Sequence, residues 1–97
     1  MNVFFDVQEL YYLPQYLPVH HELIKRDQGN TTFIFHHGKF DAIIEDIIQK
    51  ENLSHIWVKN KSEANQYYQN KKADWIFFGN TFPFLDEIHK VSKSIQL

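Results

Sequence analysis

Short apolar runs alternate with longer amphipathic stretches along the whole of this 97-residue chain. Each run is brief, rich in β-branched and aromatic residues, and followed by small or polar residues, as expected of a strand buried on both faces. The pattern predicts four such strands, at residues 2–7, 31–35, 56–58 and 75–78. The fourth stops at a turn-forming sequence, and Pro83 prevents it from continuing as an interior strand.

Helical periodicity fills the segments between these strands. Pro18 suits the first turn of a first helix. The clearest amphipathic helix has apolar residues at i, i+3, i+4, i+7 and i+8: Phe40, Ile43, Ile44, Ile47 and Ile48. A more polar helix is predicted over residues 63–72 and a fourth over residues 85–93. The apolar face of the polar helix consists of Ala64, Tyr67 and Tyr68.

Strands separated by helical stretches of this length pair in parallel through right-handed crossovers. The predicted fold class is therefore α/β, a three-layer Rossmann-like half-domain with a four-stranded parallel sheet. Residues 94–97 resemble the beginning of a fifth strand, truncated where the chain stops. We therefore expect residues 1–97 to form a single domain, either the N-terminal fragment of a larger two-domain protein, which is the favoured interpretation, or a domain whose edge strand is very short. We also expect self-association through the exposed sheet edge.

Composition narrows the classes of partner and site. The net charge of -2 gives no overall attraction to nucleic acid. The absence of cysteine excludes a disulfide framework and a zinc–thiolate site. The N-terminus carries acidic residues where a signal peptide carries basic ones, and no stretch approaches the roughly 20 apolar residues that span a membrane. These features predict a cytoplasmic protein.

Ligands of an open parallel α/β sheet bind outside the carboxyl ends of its strands. The first strand is followed by the sequence QELYY, at residues 8–12, which has none of the glycines of the G-x-G-x-x-G dinucleotide fingerprint. The chain also has no Walker A loop. The usual modes of NAD, FAD and ATP binding are therefore not expected, and we predict no cofactor.

Two histidine pairs, His20-His21 and His36-His37, invite interpretation as a metal site. Zinc needs three or four converging ligands, and adjacent histidines rarely face one ion, so solvated or loop histidines are the favoured interpretation. No metal site is predicted. His36 and His37 follow the second strand, where hydrogen bonding to an anionic ligand group is an alternative. Asp6 is a candidate general base by location, or a carboxylate that caps backbone N–H groups.

Tyrosine and leucine are concentrated after the first strand, where Tyr11, Tyr12 and Tyr16 alternate with leucines. Core packing beneath the first helix is the favoured interpretation. The alternative is an aromatic surface that faces an interfacial substrate, because tyrosine and leucine suit a membrane–water boundary.

Two segments carry a family resemblance: residues 2–29, NVFFDVQELYYLPQYLPVHHELIKRDQG, and residues 73–97, ADWIFFGNTFPFLDEIHKVSKSIQL. The first combines a strand that ends in aspartate, an aromatic loop and a proline-initiated helix that ends in a basic pair. Together they resemble the N-terminal glycosyltransferase-B-like domain of the CDP-glycerol glycerophosphotransferase family. Enzymes of this family synthesise teichoic acids and other surface polymers.

The resemblance implies the acceptor-side half of a transferase, peripheral to the inner face of the membrane and inactive alone. A missing C-terminal domain would hold the nucleotide-bound donor. The family's catalytic His-Gly motif would follow Leu97, so no catalytic residue is assigned here, and that role is not transferred to His36-His37-Gly38. The implied partner is a lipid-linked or polyol-phosphate acceptor. The crevice for this acceptor is expected to be lined by Gln8, Tyr11, Tyr12, His36, His37, Gly38, Gly79, Asn80 and Thr81.

A second hypothesis stays open beside the transferase fragment. The chain would be a stand-alone, flavodoxin-like binding or interaction module without catalysis. It is favoured by the lack of any catalytic constellation that can be argued from residue spacing.

Overall fold

The computed structural model describes residues 1–27, 29–79 and 85–96, and within them strands and helices alternate. The strands are Asn2–Val7 (β1), Asn30–His36 (β2), His55–Val58 (β3), Trp75–Phe78 (β4) and Lys93–Gln96 (β5). The helices are Leu13–Lys25 (α1), Asp41–Glu51 (α2), Lys61–Lys71 (α3) and Leu85–Ile88 (α4). A 3₁₀ turn, Leu10–Tyr12, leads from β1 into α1.

All five of these strands pair in parallel, in the order β3-β2-β1-β4-β5. The α/β class and the parallel, Rossmann-like sheet predicted from the hydrophobic pattern are therefore confirmed. The fifth strand, expected only as a truncated beginning, pairs with β4 from Trp75↔Lys93 to Phe78↔Gln96. It can begin at Lys93 because α4 ends at Ile88, earlier than the predicted helix over residues 85–93.

Two apolar clusters lie on opposite faces of the sheet, because successive side chains of a strand alternate between the faces. The cluster beneath α1 and α2 contains Val3, Phe5 and Val7 of β1. The cluster beneath α3 and α4 contains Phe4 of the same strand. By the same alternation, Asp6 lies on the α3 face. The sheet therefore has helices on both faces, as a parallel sheet requires.

α1 begins at Leu13, before the predicted start at Pro18. Pro14 occupies the first turn, and Pro18 lies inside the helix, where it removes one backbone hydrogen bond. The earlier start buries Leu13 and Tyr16 against the sheet. Burying two large side chains contributes roughly 3–6 kcal/mol, at about 1.5–3 kcal/mol each, and this matches or exceeds the roughly 3 kcal/mol cost of an interior proline.

One stripe of α2 is buried, and this stripe is narrower than the predicted apolar face. Ile44 and Ile48 are 4% and 5% exposed, whereas Ile43 is 51% exposed and Phe40 is 39% exposed.

Ile44→Ala should lower the free energy of unfolding by about 2–4 kcal/mol, since it leaves a cavity beneath α2. The matched variant Ile43→Ala should change it by less than about 0.5 kcal/mol. Urea denaturation measures both, and equal losses would contradict the buried stripe.

A buried histidine joins α1 to β2. His20 Nδ1 lies 2.6 Å from Thr31 Oγ1, and both residues are buried. Beside it, His21 Nε2 lies 3.3 Å from Glu51 Oε2. Burial, and then the neighbouring His21, lower the pKa of His20, while Glu51 acts in the opposite direction. His20 is thus a core residue, not the solvated histidine that the sequence favoured.

This lowered pKa predicts that acid destabilises the fold. Because unfolded His20 has its ordinary pKa near 6.5, the unfolded chain binds more protons than the folded chain as the pH falls through about 6.5. The free energy of unfolding should therefore fall below that pH. His20→Gln should flatten this dependence, whereas the exposed His21→Gln, which removes only the smaller of the two lowering effects, should keep most of it. Urea titrations between about pH 7.5 and about pH 5.5 measure the slope, and an unchanged slope in His20→Gln would refute the assignment.

Candidate functional site

The strand order reverses between β1 and β4, and this switch point is where open α/β sheets bind their ligands. Here the ring of Tyr12, which follows β1, packs on Gly79, which follows β4. A Cβ at Gly79 would overlap that ring. From α1, the Tyr16 hydroxyl donates to the carbonyl of Asp6 at 2.9 Å and to that of Phe77 at 3.4 Å. Protein aromatic rings therefore fill the crevice between β1 and β4.

The phenols at this point stay protonated at neutral pH. A hydrogen bond from the Tyr11 hydroxyl to the Tyr12 hydroxyl, 3.1 Å long, is the main cause that raises the pKa of Tyr12 to about 12. Burial, and then the charge of Asp6, raise the pKa of Tyr16. Both groups therefore act as neutral hydrogen-bonding groups and not as phenolates.

Asp6 is completely buried, and its carboxylate collects side-chain donors from three parts of the chain. Gln8 Nε2 donates to Oδ1 at 2.9 Å. Oδ2 lies 3.0 Å from His36 Nε2 at the end of β2 and accepts a hydrogen bond from the Tyr68 hydroxyl of α3. These partners are side chains, so the backbone-capping interpretation of Asp6 does not describe them. The group is an aspartate–histidine pair with two further donors.

A polar cleft of about 250 Å³ lies beside the filled switch point, between the 3₁₀ turn and the start of α2. Its polar lining consists of Gln8, Glu9, His36, His37, Lys39 and Asp41, with the backbone of Gly38. The side chain of His36 is 9% exposed, so the ring connects the buried Asp6 to the cleft. This arrangement can orient a ligand through a fixed imidazole.

The two adjacent histidines diverge. His37 Nδ1 lies 2.8 Å from Asp41 Oδ2, and the His37 ring stacks on Trp57 at 4.7 Å between centroids. The Gly38 N–H donates to the other carboxylate oxygen of Asp41 at 2.8 Å. The hydrogen bond from His37, followed by that from Gly38, lowers the pKa of Asp41. His37 and Gly38 therefore form a rim around the start of α2, while His36 alone of the pair contacts Asp6.

The remaining predicted site residues that the structure describes fall in two places. Tyr11 is 61% exposed and lines an apolar groove of about 480 Å³ between α1 and α2. Tyr12 and Gly79 contact each other at the switch point. Asn80 and Thr81 lie outside the described residues. Of the tyrosine cluster, Tyr12 and Tyr16 are core residues, as the favoured interpretation predicts, whereas Tyr11 is a surface residue.

Two residues of this region were not identified from the sequence. Lys39 is exposed at the cleft, with its Nζ 5.3 Å from the centre of the Phe40 ring. Tyr68 was assigned only to the apolar face of a polar helix. The sequence feature that could have identified Tyr68 is a tyrosine at an inward position of a polar helix, opposite a strand that contains a single aspartate. Neither position carries a motif.

The geometry defines an α/β, Rossmann-like domain with a polar cleft at the carboxyl edge of its sheet. Comparisons with protein-family models, curated proteins and solved structures find no match to this chain. Among the described residues, no three His, Cys, Asp or Glu side chains are grouped so as to hold a metal ion. None of the helices in the described ranges has the length and apolar character needed to cross a membrane.

The contact between Gly79 and Tyr12 predicts different tolerance at two glycines. Gly79→Ala should lower the free energy of unfolding by about 1–3 kcal/mol, because the new methyl group overlaps a packed ring. A Cβ at Gly38 meets no atom within 4 Å, so Gly38→Ala should change stability by less than about 0.5 kcal/mol. Thermal and urea denaturation compare the two variants. Equal stability of Gly79→Ala and the unsubstituted chain would show that Tyr12 does not fill the switch point.

Proposed function

We propose that this chain is the acceptor-side domain of a glycosyltransferase-B-type transferase, of the CDP-glycerol glycerophosphotransferase kind, and that it binds a hydroxylated, phosphate-bearing acceptor at the cleft around His36. It works at the inner face of the cytoplasmic membrane with a nucleotide-binding partner domain. The observation that carries this proposal is the contrast between two neighbouring places. The switch point is filled by Tyr12, whereas the cleft beside it is open and polar.

A filled switch point argues against nucleotide binding by this half. Nucleotides bind at this point in related folds through a glycine-rich turn at a helix N-terminus. Here a 3₁₀ turn with Tyr11 and Tyr12 takes the place of such a loop. The nucleotide-activated donor therefore belongs to the other domain, and the acceptor belongs to this one.

The chemistry of the cleft suits a small polar ligand with an anionic group. Lys39 at the rim forms no ion pair within the described residues, so its charge is available to a phosphate. His36 and Gln8 offer hydrogen-bonding groups for hydroxyls. The phosphate and the hydroxyls of a polyol phosphate can therefore be recognised by separate groups.

The apolar groove supports an acceptor with a lipid part. It is continuous with the cleft, since Glu9, Leu10 and Phe40 line both. Tyr11, Phe40 and Ile43 leave apolar surface exposed along it. A ligand with its polar head at His36 would place an attached apolar chain in this groove.

The alternative proposal is a stand-alone binding or interaction module. The same exposed groove favours it, because an apolar surface between two helices also suits a protein partner. The two proposals differ in the ligand expected at the cleft, since only the transferase proposal requires a polyol phosphate there. Self-association through the β5 edge stays a prediction.

Titration with small ligands tests the proposal. Glycerol 3-phosphate should shift the backbone amide signals of residues 36–41 in a ¹H–¹⁵N spectrum, whereas CMP and CDP should leave the signals of Tyr12 and Gly79 unchanged. Lys39→Ala should weaken the binding of glycerol 3-phosphate about tenfold, a loss of about 1.4 kcal/mol. Lys50→Ala, on α2 and paired with Asp46 at 2.9 Å, is the matched control and should bind normally.

Two outcomes would contradict the proposal. Nucleotide-induced shifts at the switch point would make this the donor half or a nucleotide-binding module. An absence of any shift with millimolar glycerol 3-phosphate would remove the acceptor and leave the interaction module as the better account.

A further inference from the structure

The carboxylate of Asp6 has an unusual set of partners. It is fully buried, and the basic side chain that contacts it among the described residues is a histidine, not a lysine or arginine. A buried carboxylate is tolerable only where hydrogen bonds replace its hydration. Gln8 donates to Oδ1, and Tyr68 donates to Oδ2, the oxygen that also faces His36. Two neutral donors therefore stabilise the charge of Asp6 before His36 is considered.

Tyr68 is suited to be a permanent donor. It is completely buried, and burial, followed by the charge of Asp6, raises its pKa well above the ordinary value. Its ring is held by Phe4 and Phe78, with centroid distances of 5.9 and 6.0 Å. The hydroxyl therefore keeps its proton and its direction at any physiological pH.

His36 has one ring nitrogen committed and one available. Nε2 lies 3.0 Å from Asp6 Oδ2, and because an ionised carboxylate can only accept, Nε2 is the donor. Nδ1 has no hydrogen-bond partner in the described part of the chain. Among the described residues, Ser92 Oγ is the only side-chain nitrogen or oxygen that is fully buried without a hydrogen-bond partner, so Nδ1 is not fully buried. Nδ1 is therefore accessible to solvent, and His36 lines the cleft. With the proton on Nε2, a neutral imidazole carries its lone pair on Nδ1.

We propose that Tyr68 is a positioning residue of the cleft: together with Asp6 it holds the His36 ring with Nε2 toward Asp6, so that Nδ1 of the neutral ring accepts a hydrogen bond from a ligand hydroxyl. The ligand class at this position is a polyol or sugar, and the ligand phosphate lies instead at Lys39. A phosphate oxygen at Nδ1 would meet a lone pair and not a donor. The ligand part of this inference rests on the proposed function, whereas the state of the ring does not.

The state of the ring can be measured without any ligand. The ¹⁵N signals of the His36 ring at neutral pH should show a neutral imidazole protonated on Nε2. In Tyr68→Phe the ring is retained and one donor to Oδ2 is lost, so more negative charge faces His36. The protonated fraction should then rise, and the Nδ1 signal should move toward its protonated position. Tyr67→Phe, one residue earlier on α3 and half-buried, is the matched control and should leave the signals unchanged.

Either of two results would overturn the role of Tyr68. One is a doubly protonated His36 ring in the unsubstituted chain. The other is a Tyr68→Phe variant that loses stability while its His36 signals stay in place, which would make Tyr68 a packing residue only. The first measurement needs no variant, so the state of the ring is decided even if Tyr68→Phe does not fold.

Ligand selectivity separates this inference from the proposed function. Glycerol 3-phosphate should bind about tenfold more tightly than propyl phosphate, which lacks the hydroxyls. In Tyr68→Phe this ratio should fall below about threefold. Equal binding of the two ligands by the unsubstituted chain would overturn the hydroxyl assignment while the acceptor proposal stands. If neither ligand binds but the ring signals respond as expected, the acceptor proposal fails and the positioning role of Tyr68 is supported.

Discussion

A carboxylate buried in the middle of a parallel sheet is the constraint on which much of this structure depends. Asp6 lies in the central strand, with β2 on one side and β4 on the other, and it has no exposure to water. An unmatched charge there would cost several kcal/mol. The fold meets this cost with donors from the loop after β1, from the end of β2 and from α3. Three separate elements are thereby fixed relative to one another at the edge where ligands bind.

The same edge is also shaped by aromatic packing. Tyr12 and Tyr16 place their rings beside β1 and β4, and the absence of a side chain at Gly79 lets Tyr12 approach the end of β4. The available space therefore shifts from the centre of the sheet toward β2 and α2. A fold that holds a nucleotide at its switch point in other proteins offers here a smaller, more polar cleft with one oriented histidine.

The sequence predicts this fold well wherever periodicity decides the structure. β1 and β4 have the predicted bounds, because an apolar run flanked by polar or small residues has few other solutions. The start of α1 was misplaced, because the burial of Leu13 and Tyr16 outweighs the preference of proline for a first turn. The fifth strand was underestimated, because the residues after Ile88 have no strong period of their own. Tertiary pairing with β4 decides their conformation.

The site could be predicted only in part, because its contacts join residues that are far apart in the chain. The location of His36 at the carboxyl edge of the sheet followed from topology, and so did the choice of Asp6 as a candidate site residue. Their hydrogen bond spans 30 residues and that of Tyr68 spans 62, and no local pattern encodes either. The divergence of His36 and His37 follows from strand alternation, once β2 is known to extend through His36. The sequence analysis ended this strand at residue 35 and placed both histidines in a loop, so it did not predict that their side chains diverge.

The cleft and the groove together narrow the kind of ligand that fits this edge. A purely polar ligand would leave the apolar surface of Tyr11 and Ile43 exposed, and a purely apolar ligand would leave the charge of Lys39 unused. A molecule with a hydroxylated, phosphorylated head and an apolar tail satisfies both, because the two regions share Leu10 and Phe40. A protein partner could cover the groove, but an apolar contact there does not require an imidazole fixed by Asp6 at its end. The oriented histidine is therefore the feature that favours a small-molecule acceptor over an interaction module.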